Sequence, residues 1–284
     1  MNPRIRSELT VGLVGEQISG TLLPDAFDIM CRQNGLNLSF ELIDVSPGTG
    51  FDLISFITNL NSWDWDGVSV THPFKIAAAG LNGVIPSDAV QRLGSANVLK
   101  FDDDGVCAFN TDYTGFISAW RTAMGSDGPG RVIMAGAGGV ASALGPALID
   151  LGAEEVMIFD VISDRAETLA GKLGPKARPV SVQEAAEACH IADGLLNATE
   201  CGMGGDNRSA FGGMDVSAAK WAFDAVYFPE ETPFVQAVRA GSARVLTGFE
   251  LFKHMAIQSF AHYAGVETDP AFILPKLEAL RNRR

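Results

Sequence analysis

The run RVIMAGAGGVASALGPALIDLGAEEVMIFD, residues 131–160, constrains the fold more than any other stretch of the chain. A strand-like segment leads directly into Gly136-x-Gly138-x-x-Ala141, a helical apolar pattern follows, and a second strand-like segment closes the run. The first glycine permits a tight turn, the second lets backbone approach a pyrophosphate, and a small third residue lets helix and strand pack closely. The N–H groups that open the helix then face negative charge. A βαβ unit that binds a dinucleotide is expected, with Gly136, Gly138, Gly139 and Val140 as candidate cofactor contacts. Asp160 ends the second strand at the distance where an acidic side chain takes the adenosine ribose hydroxyls. A carboxylate there accepts from two hydroxyls and repels a 2′-phosphate, which predicts NAD in preference to NADP. Arg165 is the nearby group that would instead meet a phosphate. Pro146 removes a backbone donor inside the helix and should kink it.

The alternation continues beyond this unit. RVIMAG, EVMIFD, GLLNAT, WAFDAV and ARVLTG read as strands, and the segments between them carry apolar residues every three to four positions, as one face of a helix requires. That is the pattern of a parallel sheet covered on both faces, a doubly wound Rossmann domain over residues 112–247. Residues 1–111 also read as α/β, with strands VGLVG, LSFELIDV and WDGVSVT and a hairpin in ANVLKFDDDGVCAFN turning near Asp104-Gly105. The tail, residues 248–284, reads as two helices broken near Thr268, Asp269 and Pro270. With no strand of its own it should pack back on the first domain. The expected fold class is α/β, with an N-terminal α/β substrate domain, a Rossmann domain and a cleft between them.

Composition narrows the function. Among 284 residues, 21 basic and 34 acidic side chains give a net charge of -13, which repels nucleic-acid phosphates and anionic membranes. Cys31, Cys107, Cys189 and Cys201 show neither C-x-x-C pairing nor histidines at ligand spacing, so free thiols and no metal are expected. The apolar run after MNPRIRSELT is too short for an export signal, and residues 132–152 contain Pro146 and Asp150, unlike a bilayer span. A cytoplasmic enzyme acting on a small molecule, as a monomer or homodimer, fits these features.

Oxidation of an alcohol by NAD leaves a proton to be removed, so the first domain should supply an acid/base group. In VTHPFKIAA a β-branched run breaks at Pro73 and delivers Lys75 into a helix; in FNTDYTG, Asp112 stands where the chain leaves for the Rossmann domain. SVTHPFK, FNTDYTG, MAGAGGVA, NATECGM and DAVYFPEETP, in that order, resemble the shikimate/quinate dehydrogenase family over nearly the whole chain. The resemblance implies that Lys75 and Asp112 form the catalytic pair, and that Thr71 and Asn97 hydrogen-bond substrate ring hydroxyls. It implies further that Tyr227 lines the cleft, and that Asn197, Ala198, Thr199, Met203, Val226 and Gly248 surround the ribose and nicotinamide.

The match departs from the family on the substrate side. Where the family carries S-x-S before a proline to hold the substrate carboxylate, this chain has Thr21 and Leu23 ahead of Pro24. Ser69 replaces an asparagine and Met255 a glutamine, with His254 and Gln258 as candidate substitutes for the latter. Thr21, Ser69 and Met255 remain candidate substrate contacts, and a relative of shikimate is the expected substrate. The alternative is a dinucleotide-binding regulatory or sensor protein whose substrate site has decayed; retention of both Lys75 and Asp112 argues against it.

Overall fold

A computed structural model describes residues 7–46, 48–60 and 64–282. Residues 1–6, part of the stretch read above for an export signal, lie outside the described residues. The chain divides into two compact units, Met1–Thr111 with Lys253–Arg284, and Asp112–Phe252.

In the first unit β1 (Glu8–Gly15), α1 (Leu23–Gln33), β2 (Asn37–Asp44), α2 (Leu53–Asn59), β3 (Gly67–Val70), α3 (Lys75–Ala79), β4 (Val84–Pro86), α4 (Asp88–Leu93), β5 (Val98–Asp102) and β6 (Gly105–Phe109) follow in order. They form a sheet ordered β2-β1-β3-β5-β6-β4. β1 runs parallel to β2 and β3, while β5 runs antiparallel to β3 and β6. β3 is buried at every residue, as a short β-branched strand in the middle of a sheet should be. The expected hairpin joins β5 to β6, with Asp102 opposite Gly105. β4 is too short to show a period in the sequence, and its Pro86 suits the sheet edge it occupies.

The second unit contains α5 (Thr111–Met124, starting one residue before it), β7 (Arg131–Ala135), α6 (Ala141–Asp150), β8 (Glu155–Phe159), α7 (Ser163–Leu173), β9 (Ala177–Pro179), α8 (Val182–Ala188), β10 (Gly194–Asn197), β11 (Trp221–Asp224), α9 (Pro233–Ala240) and β12 (Arg244–Thr247). Its sheet is parallel throughout, in the order β12-β11-β10-β7-β8-β9. Val132 and Met134 of β7 enter one apolar core while Ile133 and Ala135 enter the other, so helices cover both faces. Each fully buried large aliphatic or aromatic side chain contributes about 1.5–3 kcal/mol. A core holding Phe116, Trp120 and Phe223 needs no covalent staple, and the four cysteines are free. Strand order reverses between β7 and β10, and crevices at such reversals, outside the carboxyl ends of the strands, are where open α/β sheets take ligands. Pro146 lies within α6, and the helix continues past it to Asp150.

α10 (Gly248–Ala264) begins in the second unit and ends in the first, followed by α11 (Pro270–Glu278). Phe260 and Tyr263 of α10 pack on Phe27 of α1 at centroid distances of 5.8 and 6.1 Å. The tail thus returns to the N-terminal sheet, as a segment without strands was expected to. Asp269 caps α11 by accepting the Ala271 N–H at 2.9 Å. No described helix is long and apolar enough to cross a membrane.

Candidate active site

In the first unit, backbone hydrogen bonds gather the residues singled out beside the VTHPFK break. The Thr71 N–H donates to the Val14 carbonyl at 2.9 Å, and the Thr71 carbonyl accepts from Phe74 at 2.9 Å, closing the turn that leads to α3. Lys75 is the first residue of that helix and is half-buried. Its carbonyl accepts the Ala96 N–H at 2.9 Å, which pins the lysine next to the segment carrying Asn97. Asn97 is held in turn by its own N–H on the Phe109 carbonyl and by its carbonyl on the Val70 N–H. Its side-chain oxygen accepts the Thr111 N–H at 2.7 Å, so Asn97 caps the start of α5, whose second residue is Asp112. Lys75, Asn97 and Thr71 are therefore grouped by β3, β5 and their flanking turns.

The remaining substrate candidates, Ser69, Thr21 and Met255, are placed differently. The Ser69 hydroxyl faces the interior and lies 3.0 Å from the Tyr263 hydroxyl. Full burial pushes the Tyr263 phenol far above its ordinary pKa, so this pair stays neutral. Thr21 accepts the Leu23 N–H at 3.2 Å, and Leu23 is buried at the first position of α1. On α10, Met255 and Gln258 are both half-buried and stand three residues apart on one helical face, whereas His254 is buried.

The second unit builds its candidate site largely from main chain. Gly136 has φ +94°, and a Cβ there would lie 2.8 Å from Thr199 Cγ2 and 2.9 Å from the Ala198 carbonyl. Only glycine meets both demands. Gly138 and Gly139 face open space, with nothing within 4 Å of where a Cβ would sit, directly ahead of α6. A diphosphate fits such a surface of unblocked backbone at a helix start. Asp160 accepts from the Ala137 N–H at 2.7 Å and the Ile162 N–H at 2.8 Å, which ties the acidic side chain to the glycine turn. Val140 precedes α6 and is half-buried.

Asn197, at the end of β10, is fully buried and organises the next loop. Its oxygen accepts from Thr199 N–H at 3.0 Å and Thr199 Oγ1 at 2.7 Å; its nitrogen donates to the Cys201 carbonyl at 3.3 Å. Ala198 donates its N–H to the Ala135 carbonyl across the strand reversal, and Met203 is exposed in the following turn. Val226 is buried, and Tyr227 stacks on Phe252 at 5.9 Å. Gly248 is required by close approach: a Cβ would come within 2.6 Å of the Ala225 carbonyl and 2.8 Å of Tyr227 Cβ.

Three residues in these arrangements escaped the sequence reading. Asp224, fully buried at the end of β11, accepts from Asn197 Nδ2 at 2.9 Å, Val226 N–H at 3.0 Å and Thr232 Oγ1 at 2.6 Å. Burial pushes its carboxyl pKa up, opposed by those three donors. The signal was present in DAVYFPEETP, but a buried acid cannot be told from a solvated one by residue type. Thr111 and Ser259, paired at 2.9 Å, are the other two. Among the described residues no three histidine, cysteine or acidic side chains come together to hold a metal.

No family model matches the chain. A quinate/shikimate dehydrogenase (NAD+) of Corynebacterium efficiens is 30% identical over 269 residues, 92% of this chain and 94% of the relative. The chain belongs to the shikimate/quinate dehydrogenase family. It is an NAD(P)-dependent oxidoreductase of that family, and its relatives divide by cofactor: a shikimate dehydrogenase (NADP+) of Streptomyces avermitilis is 28% identical over 278 residues, 95% of this chain and 95% of the relative. Among solved structures, quinate dehydrogenase from Corynebacterium glutamicum in complex with NAD superposes with a TM-score of 0.86 at 27% identity, covering 96% of this chain and 99% of its own. Shikimate 5-dehydrogenase from Thermus thermophilus, in complex with NADP(H) and shikimate, gives 0.81 at 26%, covering 95% and 99%.

Proposed function

We propose that the protein is an NAD-preferring dehydrogenase that interconverts a ring hydroxyl and a ketone on quinate, shikimate or a related alicyclic hydroxy acid or polyol. The observation that carries this reading is the grouping of Lys75 with Thr71 and Asn97 by backbone hydrogen bonds, in a chain of this family. Bound NAD supplies the acceptor for the hydride. Lys75 Nζ takes the hydroxyl proton, Asp112 orients the lysine and accepts from a substrate hydroxyl, and Thr71 and Asn97 hold neighbouring oxygens.

The NAD preference rests on Asp160 and the residues after it. A carboxylate at the end of β8 accepts from both ribose hydroxyls, and Val161, 98% exposed, and Ile162 follow with apolar side chains where a 2′-phosphate calls for a guanidinium. Gly136, Gly138, Gly139 and Val140 would hold the diphosphate. Asn197, Ala198, Thr199, Met203, Val226 and Gly248 would shape the nicotinamide end. The substrate shell supports a relative of shikimate: Leu23 is buried, Met255 is apolar, and the Ser69 hydroxyl is engaged by Tyr263.

The test is NAD reduction, followed by absorbance, over quinate, shikimate and carboxylate-free cyclic polyols, repeated with NADP. Turnover of an alicyclic alcohol with NAD is expected. Cofactor binding without turnover of any member would replace the dehydrogenase with the sensor reading, and NADP preference would remove the role given to Asp160. Leu23→Ser with Met255→Gln should raise kcat/KM for shikimate by about tenfold, one recovered hydrogen bond to a charged group.

A further inference from the structure

Ser259 has no part in the reading above, yet it closes a chain of hydrogen bonds that ends on Asn97. The Thr111 N–H lies 2.7 Å from the Asn97 side-chain oxygen. A backbone N–H can face only the oxygen of a carboxamide, so this bond assigns the orientation of the amide. Thr111 Oγ1 donates to the same oxygen at 3.2 Å. With its one proton directed there, Thr111 Oγ1 must accept from Ser259 Oγ, 2.9 Å away. Thr111 and Ser259 are both buried, so water does not compete for these hydroxyls.

The polarity of the chain is therefore Ser259 O–H to Thr111 O–H to Asn97 Oδ1. Two donors fill the acceptor sites of that oxygen, and successive bonds of one direction polarise each other. The Asn97 nitrogen meets no acceptor among the described residues. It is not sealed from solvent, because Thr268 Oγ1 is the one buried side-chain polar atom without a partner among them.

We propose that Ser259 is a positioning residue which, through Thr111, locks the Asn97 carboxamide with its NH2 outward. This position then recognises an oxygen lone pair on the substrate, whether alcohol or ketone, and disfavours a donor-only group such as an ammonium. The substrate role rests on the function proposed for Asn97; the lock itself does not.

The experiment uses the full chain. In 15N-labelled protein the Asn97 side-chain NH2 signals, assigned by their loss in Asn97→Asp, should shift in Ser259→Ala and return in Ser259→Thr, which keeps the hydroxyl. With an active substrate, Ser259→Ala should raise its KM about fivefold, the loss of one neutral hydrogen bond, while the KM for NAD stays the same. Signals that do not move in Ser259→Ala overturn the lock. Signals that move while substrate KM is unchanged overturn the positioning role. Signals that move in a protein that oxidises no alcohol uphold the lock and remove the dehydrogenase reading instead.

Discussion

In Asp112–Phe252 the groups proposed to meet a ligand are mostly main chain: the turn at Gly136, the open backbone of Gly138 and Gly139, and N–H groups ahead of α6. In the unit made of Met1–Thr111 and Lys253–Arg284 they are side chains, Thr71, Lys75 and Asn97, each held from behind by backbone or by buried hydroxyls. Backbone donors are the same whatever the residue, so a backbone site keeps its chemistry through sequence change provided the turn survives. A side-chain site changes with every substitution. The resemblance read from the sequence implies that contrast, with the glycine turn matching the family motif and Leu23, Ser69 and Met255 standing where that family is polar. Polar side chains in the second unit, Asn197 and Asp224, are saturated by internal partners and brace loops.

The strongest challenge to this contrast is Lys75→Ala. If the chemistry resides in one side chain of the first unit, kcat should fall by about 10²–10⁴, the usual contribution of a general acid/base group, with the dissociation constant for NAD unchanged. Near-normal turnover would break the contrast at its centre.

Gly138→Val tests the other half. Nothing lies within 4 Å of its Cβ position, so the melting temperature should hold within a degree or so, yet the added side chain should keep a diphosphate from the backbone and weaken NAD about hundredfold. A matching loss of stability would show that the glycine serves the fold instead. Asp160→Ala is expected to have a smaller effect, lowering the ratio of kcat/KM for NAD over NADP by about tenfold, since one charged hydrogen-bond acceptor is lost. An unchanged ratio would mean that the carboxylate only ties the glycine turn through Ala137 and Ile162.

The smallest effect concerns Asp224. Its carboxyl pKa is raised in the fold, so the folded state binds the proton more tightly than the unfolded chain, where the value is about 3.9. That contribution is fully present below the unfolded value and is lost as pH rises through the folded one. Asp224→Asn should therefore flatten the decline of melting temperature from about pH 4 upward, relative to wild type. Superimposable pH profiles would show that the Thr232, Val226 and Asn197 bonds cancel the cost of burial.

Much of the fold was legible because its signals are local. Five strands of the parallel sheet stand in the sequence as apolar runs followed by helical periods, and β8 ends one residue before Asp160. The short strands β4 and β9, three residues each, carry no measurable period and were missed. Lys75 and Asp112 stood out through family motifs, while Asp224, Thr111 and Ser259 did not, since their importance comes from partners and not from residue type.

By itself the sequence determined the glycine turn, the alternation that makes a two-faced parallel sheet and the hairpin after β5, because positive φ, apolar period and turn chemistry act within a few residues. Only the tertiary structure decided where polar side chains face. Ser69 meets Tyr263 across 194 positions, Thr111 meets Ser259 across 148, and Asn197 meets Asp224 across 27. Those pairings arise when α10 returns to the N-terminal sheet and when β10 and β11 align, and a buried hydroxyl, amide or carboxyl then takes whichever partner lies within reach, because an unpaired polar group inside the protein is too costly to leave.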